Sequence, residues 1–135
     1  MKKILLLTVP RVVLGLIFLV GAMDGFSFIF TGSHLINLPT SERAKAFESA
    51  LIAVGFFWPL MKSVQLIGAL CLLANKAPAL GLALLSPIVA VIVLFHLLLN
   101  PSGIPVAIIL LVTGGLLAYQ YRSIFARLVS KADQG

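Results

Sequence analysis

This sequence predicts an all-α membrane protein, a four-transmembrane-helix bundle with a short amphipathic helix in the first external loop. Three observations predict it. The chain of 135 residues is 61% hydrophobic and only 10% charged, with a mean hydropathy of +1.15, whereas soluble domains carry roughly 25% charged residues. Its apolar runs have lengths near the ~20 residues that a helix needs to cross a bilayer. Most basic residues (Lys2, Lys3, Arg11, Lys76, Arg122, Arg127 and Lys131) stand at the ends of those runs, where positive charge sets membrane orientation. A net charge of +6 distributed this way makes no face for nucleic acid. The length leaves room for one membrane domain, residues 1–135, and none for a soluble domain. Cys71 is the only cysteine, which excludes an intrachain disulfide and a CxxC redox pair.

The first span is predicted over about residues 5–30. Pro10 and Arg11 interrupt the apolar run, and no small-x-small cleavage site follows, so the segment is expected to stay as an uncleaved span. Arg11 falls near its inner end, either snorkelling to lipid phosphates or serving an inner-face site. Asp24 lies about 20 Å further along at ~1.5 Å per residue, too far to pair with Arg11 within one helix. Gly15, Gly21, Ala22 and Gly25 allow a neighbouring helix to approach closely.

After a polar, turn-rich stretch, Thr40 or Ser41 is an N-cap for an amphipathic helix over about 41–55, with Glu42 in its first turn and Ala44, Phe47, Leu51 and Val54 on one face. That helix is expected to lie on the membrane surface, with Gly55 and Pro59 accommodating the bend that follows. The second span is predicted over 57–74, with Trp58 as an interface anchor and Pro59 in the first turn. The third covers 78–99 and should be kinked by Pro87. The fourth covers 104–122 and ends in Tyr119, Tyr121 and Arg122. Counting Lys and Arg over the short loops puts both termini and the Lys76 turn in the cytoplasm and leaves 31–56 and 100–103 outside.

In that topology Asp24, Lys62, Gln65 and His96 all fall in the outer half of the bilayer. An ionisable group within hydrocarbon costs about 2.5–3.5 kcal/mol on insertion scales, so it is expected to face a partner or a watery cavity. Two readings stay open. The four residues form a ligand-binding pocket, with Lys62 and His96 donating to a carbonyl oxygen, Gln65 orienting it and Asp24 holding Lys62. Otherwise they are structural, with Asp24 and Lys62 locking the bundle and His96 bonded to a carbonyl near Pro101. One histidine and one aspartate are too few donors for a metal site, and His34 is set aside in the loop. No catalytic triad spacing, phosphate loop or carboxylate pair stands out, so no enzyme activity is assigned.

The runs RVVLGLIFLVGAMDG and ALIAVGFFWPLMKSVQLIGALCLLANKAPALGLALLSPIVAVIVLFHLLLNPSGIP, closed by AYQYR, resemble the DoxX family of small four-span bacterial membrane proteins. The more specific features are Arg11 to Gly15, the Trp58-Pro59 to Gly68 block, Ser86-Pro87, and Phe95-His96 before Pro101-Ser102-Gly103. The resemblance implies the four-span fold and a place in the bacterial inner membrane. It also implies a link to redox systems, since the family name comes from a subunit associated with quinone-linked thiosulfate oxidation. Gln65 stands where family members commonly carry a glutamate three residues after the lysine, and Asp24 where a lysine or asparagine is often found.

Three functions follow as alternatives. The first is a small subunit or accessory protein binding a lipid-soluble molecule, with quinone as the candidate cofactor and a membrane redox complex as the candidate protein partner. The second is a small proton-coupled transporter. The third is a ligand-free structural or chaperone-like partner. The bilayer is the expected environment in each, and a homo-oligomer is compatible with all three.

Overall fold

The computed structural model describes residues 1–130; Lys131 and Gln134, the end of the basic tail, lie outside the described residues. The described residues are helical nearly throughout, with no strand among them. A π-helical lead-in, Ile4–Thr8, runs into α1 (Val9–Thr31); α2 (Glu42–Ala53), α3 (Phe57–Leu73) and α4 (Pro78–Leu94) follow, and α4 continues through a π-helical turn, Phe95–Leu99. A short 3-10 turn leads to α5 (Ile104–Gln120), and α6 (Arg122–Val129) ends the described chain. This last helix falls where only a basic tail was expected.

Among the described residues three helical stretches are long and apolar enough to cross a membrane: Ile4–Thr31, Pro78–Leu99 and Pro101–Gln120. Their 28, 22 and 20 residues correspond to about 42, 33 and 30 Å at ~1.5 Å per residue. The hydrocarbon core of a bilayer is about 30 Å thick. α3 is shorter, and it reaches that standard only jointly with α2, from which it is bent by 96°. Gly55 makes the bend at φ +90, a left-handed conformation that glycine adopts without steric cost. Ser41 is the N-cap of α2, its hydroxyl accepting from the Ala44 amide at 3.1 Å.

α1, α3, α4 and α5 pack in a ring, each on the next and α5 back on α1. The α1 to α3 contact is the most extensive. The two run antiparallel, so Gly25 faces Lys62, Gly21 faces Gln65 and Gly15 faces Leu72 and Leu73. The core between the helices holds Leu14, Phe18, Ala69, Leu72, Leu85 and Leu110, while Ile67, Leu70, Leu80, Val91 and Leu111 point outward. An apolar exterior is what a bilayer solvates. Since lipid tails are as apolar as leucine, helix association then relies on close packing at small residues. α3 and α4 meet at Gly68 and Gly81. A methyl carbon on Gly81 would stand 2.8 Å from both the Gly68 carbonyl oxygen and Cβ of Cys71.

Arg11 does not snorkel to the lipid surface. It is 9% exposed, and its guanidinium donates to the Leu72 carbonyl and, at 3.5 Å, to that of Leu73. Those carbonyls belong to the last turn of α3, which lacks i+4 amide partners (that of Leu72 accepts the Asn75 amide at 3.3 Å) and where a cation also complements the helix dipole. Its role is to cap α3, which corrects the expectation of a lipid anchor. Trp58 likewise is buried, at 7% exposure, and is not an exposed interface anchor. The α3 to α4 turn places Asn75 and Ala77 at φ 54 and 53. α4 continues through Pro87, with Ser86 donating to the Leu82 carbonyl at 2.6 Å.

Gly81→Ala should destabilise the protein by about 1–3 kcal/mol, the usual cost of overpacking. Gly115→Ala, where an added methyl meets nothing within 4 Å, should be neutral or stabilising by up to ~1 kcal/mol through helix propensity. Thermal unfolding in detergent separates the two; equal effects would mean that α3 and α4 are not in contact at Gly81.

Candidate functional site

At the end of the bundle where α1 finishes, a cavity of ≈ 790 Å³ opens between α1, α5, α2 and the Phe95–Asn100 segment, roofed by residues 34–40. Its walls are apolar: Leu16, Ile17 and Val20 from α1, and Val106 and Ile109 from α5. Its roof and rim are polar, contributed by Asp24, His34, Lys45, Glu48, His96 and Asn100. The division follows from topology. The walls are the mid-depth faces of two adjacent helices, and the polar groups come from the helix ends and loops above them.

Asp24 organises the roof. Its Oδ1 accepts the amides of Leu35 and Ile36 at 2.7 and 2.9 Å, and its Oδ2 lies 2.8 Å from His34 Nδ1. The His34 ring stacks on Phe28 with centroids 4.5 Å apart. A carboxylate near the end of an apolar helix thus finds three donors in the chain that immediately returns over it, which offsets its desolvation. The other end of the strap is held by Asn100, which is 7% exposed. Its side chain accepts from the Ser41 amide at 3.2 Å and donates to the Pro39 carbonyl at 3.4 Å. The Ser41 hydroxyl also donates to the Leu99 carbonyl.

His96 borders the cavity with neither ring nitrogen hydrogen-bonded among the described residues. Nδ1 is buried without a hydrogen-bond partner, packed against Gly103 so closely that any Cβ there would overlap the ring. Nε2 makes no hydrogen bond among the described residues and is the nitrogen left to meet a ligand. Glu48, on α2 outside the three spans, is half-buried, and burial pushes its carboxyl above the ordinary value.

Lys62 and Gln65 are elsewhere. Both are buried, at 9% and 3% exposure, in the seam between α3 and α1. The Lys62 ammonium donates to Gln65 Oε1 at 3.3 Å and sits over the Trp58 ring, 4.7 Å from its centroid. The expected Asp24 to Lys62 ion pair is not formed: among the described residues no carboxylate lies within 4 Å of Lys62. His34 has taken the carboxylate. The four sequence candidates therefore divide, with Asp24 and His96 at the cavity and Lys62 and Gln65 behind α1. The partition between them is thin, because Gly21 lines the cavity and a Cβ on it would be 3.7 Å from Gln65 Oε1. Arg11 is at the opposite end.

Sequence reasoning missed His34, Lys45, Glu48 and Asn100. The usable signal for His34 was that Asp24 is the only acid in the first span and His34 the only titratable side chain in the loop that returns over it. For Asn100 it was a lone amide at the end of an apolar run before a proline. Among the described residues no group of three or more His, Cys, Asp or Glu is placed to hold a metal ion.

A double-mutant cycle should find Asp24 coupled to His34. Asp24→Asn and His34→Ala should each destabilise by about 1–3 kcal/mol, with a coupling of at least ~0.5 kcal/mol. The coupling of Asp24 with Lys62→Met should be smaller. The reverse order, measured by unfolding in detergent, would restore the ion pair that the sequence suggested.

Comparison of the chain with protein-family profiles, with curated proteins and with solved structures found no match in any of the three.

Proposed function

We propose that the chain is a DoxX-like integral protein of the bacterial inner membrane, with four spans and both termini cytoplasmic. Its outer-end cavity binds a lipid-soluble molecule carrying a polar, hydrogen-bonding head. In this account α3 is the fourth span and α2 lies along the outer surface. The distribution of basic residues supports that placement: among the described residues Lys2, Lys3, Arg11, Lys76, Arg122 and Arg127 stand at the end away from the cavity, against Arg43 and Lys45 in the segment at the cavity end.

The observation that carries the proposal is the shape and lining of the cavity. Apolar walls on α1 and α5 with polar groups confined to one end suit an amphipathic ligand whose body lies between helices and whose head lies under the strap. Quinone is the ligand class we favour. A carbonyl oxygen would accept from His96 Nε2 and from the Lys45 ammonium, whereas the sequence alone nominated Lys62 and Gln65 for that contact. These groups bind and orient. Transport driven by Asp24 protonation is not favoured, because three donors already engage that carboxylate. A protein partner in a redox complex fits the same proposal, the cavity then presenting the ligand to it.

Native mass spectrometry of the protein extracted in mild detergent should find a small apolar molecule bound to the wild type. His96→Gln should weaken its retention about tenfold, the value of one hydrogen bond of ~1.4 kcal/mol, while the thermal transition of the ligand-free protein barely moves. A co-purifying protein with no small molecule would favour the structural-partner alternative, and parallel losses of stability and binding would make His96 a packing residue.

A further inference from the structure

A second concavity lies on the outside of the bundle, between α2 and the end of α4, and it is chemically unlike the first. It encloses ≈ 320 Å³ and is lined by Phe47, Val91, Leu94, Phe95 and Leu98, with Arg43 the only charged lining residue among those described. Leu94 and Leu98 are 54% and 65% exposed, so the groove faces whatever surrounds the bundle. Phe47 and Phe95 form its floor, their rings tilted with centroids 5.8 Å apart.

Arg43 is free. Its neighbour Glu42 pairs with Lys45 at 3.6 Å, and Arg43 makes no ion pair among the described residues. A guanidinium presents a planar fork of donors that matches phosphate oxygens, and it is more weakly hydrated than an ammonium. Here it stands at the head of a groove that has no other polar wall. We propose that this groove is a binding site for one phosphate-bearing lipid, its phosphate on Arg43 and one acyl chain along Val91, Leu94 and Leu98.

Charge and shape choose the occupant. A soluble anion would leave the apolar groove unfilled, and an apolar chain alone would leave Arg43 unused; a phospholipid satisfies both. The proposal needs the bundle to be in a membrane, but it is independent of what the first cavity holds. The two sites do touch, because Phe95 lines both. A chain in the groove would support the wall of the cavity and hold α2, which carries Lys45 and Glu48, against α4.

The test is lipid retention by the detergent-solubilised full chain, read by native mass spectrometry during titration with a phosphatidylglycerol or with a diacylglycerol of the same chains. Wild type should retain one phosphatidylglycerol tightly and the diacylglycerol weakly. Arg43→Gln should need roughly tenfold more phosphatidylglycerol, the scale of one charge-assisted contact, while Arg127→Gln at the other end of the bundle behaves as wild type. Leu94→Trp, which fills the groove and leaves Arg43 in place, should also lose the lipid. His96→Gln should keep it, so failure here is distinguishable from failure of the cavity proposal. Equal retention by wild type, Arg43→Gln and Leu94→Trp, or equal binding of the diacylglycerol, would overturn the site.

Discussion

The close approach of α1 and α3 is the constraint on which the rest of the structure depends. Glycines at 15, 21 and 25 let side chains of α3 lie directly against the α1 backbone. In a bilayer such contact does what hydrophobic burial does in water, because lipid offers leucine nothing worse than another leucine. Two buried cations are fixed along the same seam. Arg11 closes the open end of α3, and Lys62 is held by Gln65 and the face of Trp58. Each is satisfied without a carboxylate, which leaves Asp24 available to organise the loop above.

From that arrangement the cavity follows. With Lys62 and Gln65 drawn into the seam, the α5 side of α1 is left apolar, and the polar groups gather where the helices end. The strap of residues 33–41 is pinned at one end by Asp24 and at the other by Asn100 and Ser41. A short loop would otherwise carry several unpaired amides over an apolar wall, and each would cost free energy. Satisfying them with one carboxylate and one amide makes the strap a roof. The same economy of partners leaves His96 Nε2 and Arg43 without partners among the described residues, and those two residues line the two concavities.

Most of the helical architecture was legible in the sequence because it rests on local signals. The apolar runs, the Ser41 cap, the Gly55 bend and the turn before Pro78 each depend on residues close together in the chain. The six α-helices among the described residues include one that was not expected, α6, whose mix of basic and apolar residues reads equally well as a tail. The site was less legible. Period and depth correctly put Asp24 and His96 near the same end. They could not say that His34 would fold back within ten residues to take Asp24, nor that Lys62 would settle over Trp58 instead of crossing to α1. Those outcomes depend on the path of the strap and on the rotation of α3 about its axis, which hydrophobic pattern constrains only to within a helix face. Arg11 was misjudged for a related reason: a cation near the end of a span reads as a lipid anchor until the last-turn carbonyls of the neighbouring helix are seen beside it.

What the proposal requires first is a water-reachable cavity inside a membrane-embedded bundle, at the end where α1 finishes. Cysteine accessibility tests it most directly. In a Cys71→Ala background reconstituted in liposomes, single cysteines would replace Val20, which lines the cavity, and Ile108, which is 55% exposed and outside it. Both would be treated with a water-soluble maleimide. The account predicts that the cysteine at position 20 is labelled and the one at 108, facing lipid, is not. Equal protection at both positions would show that the cavity is closed to water in the bilayer, and equal labelling that this end of the bundle is not embedded at all.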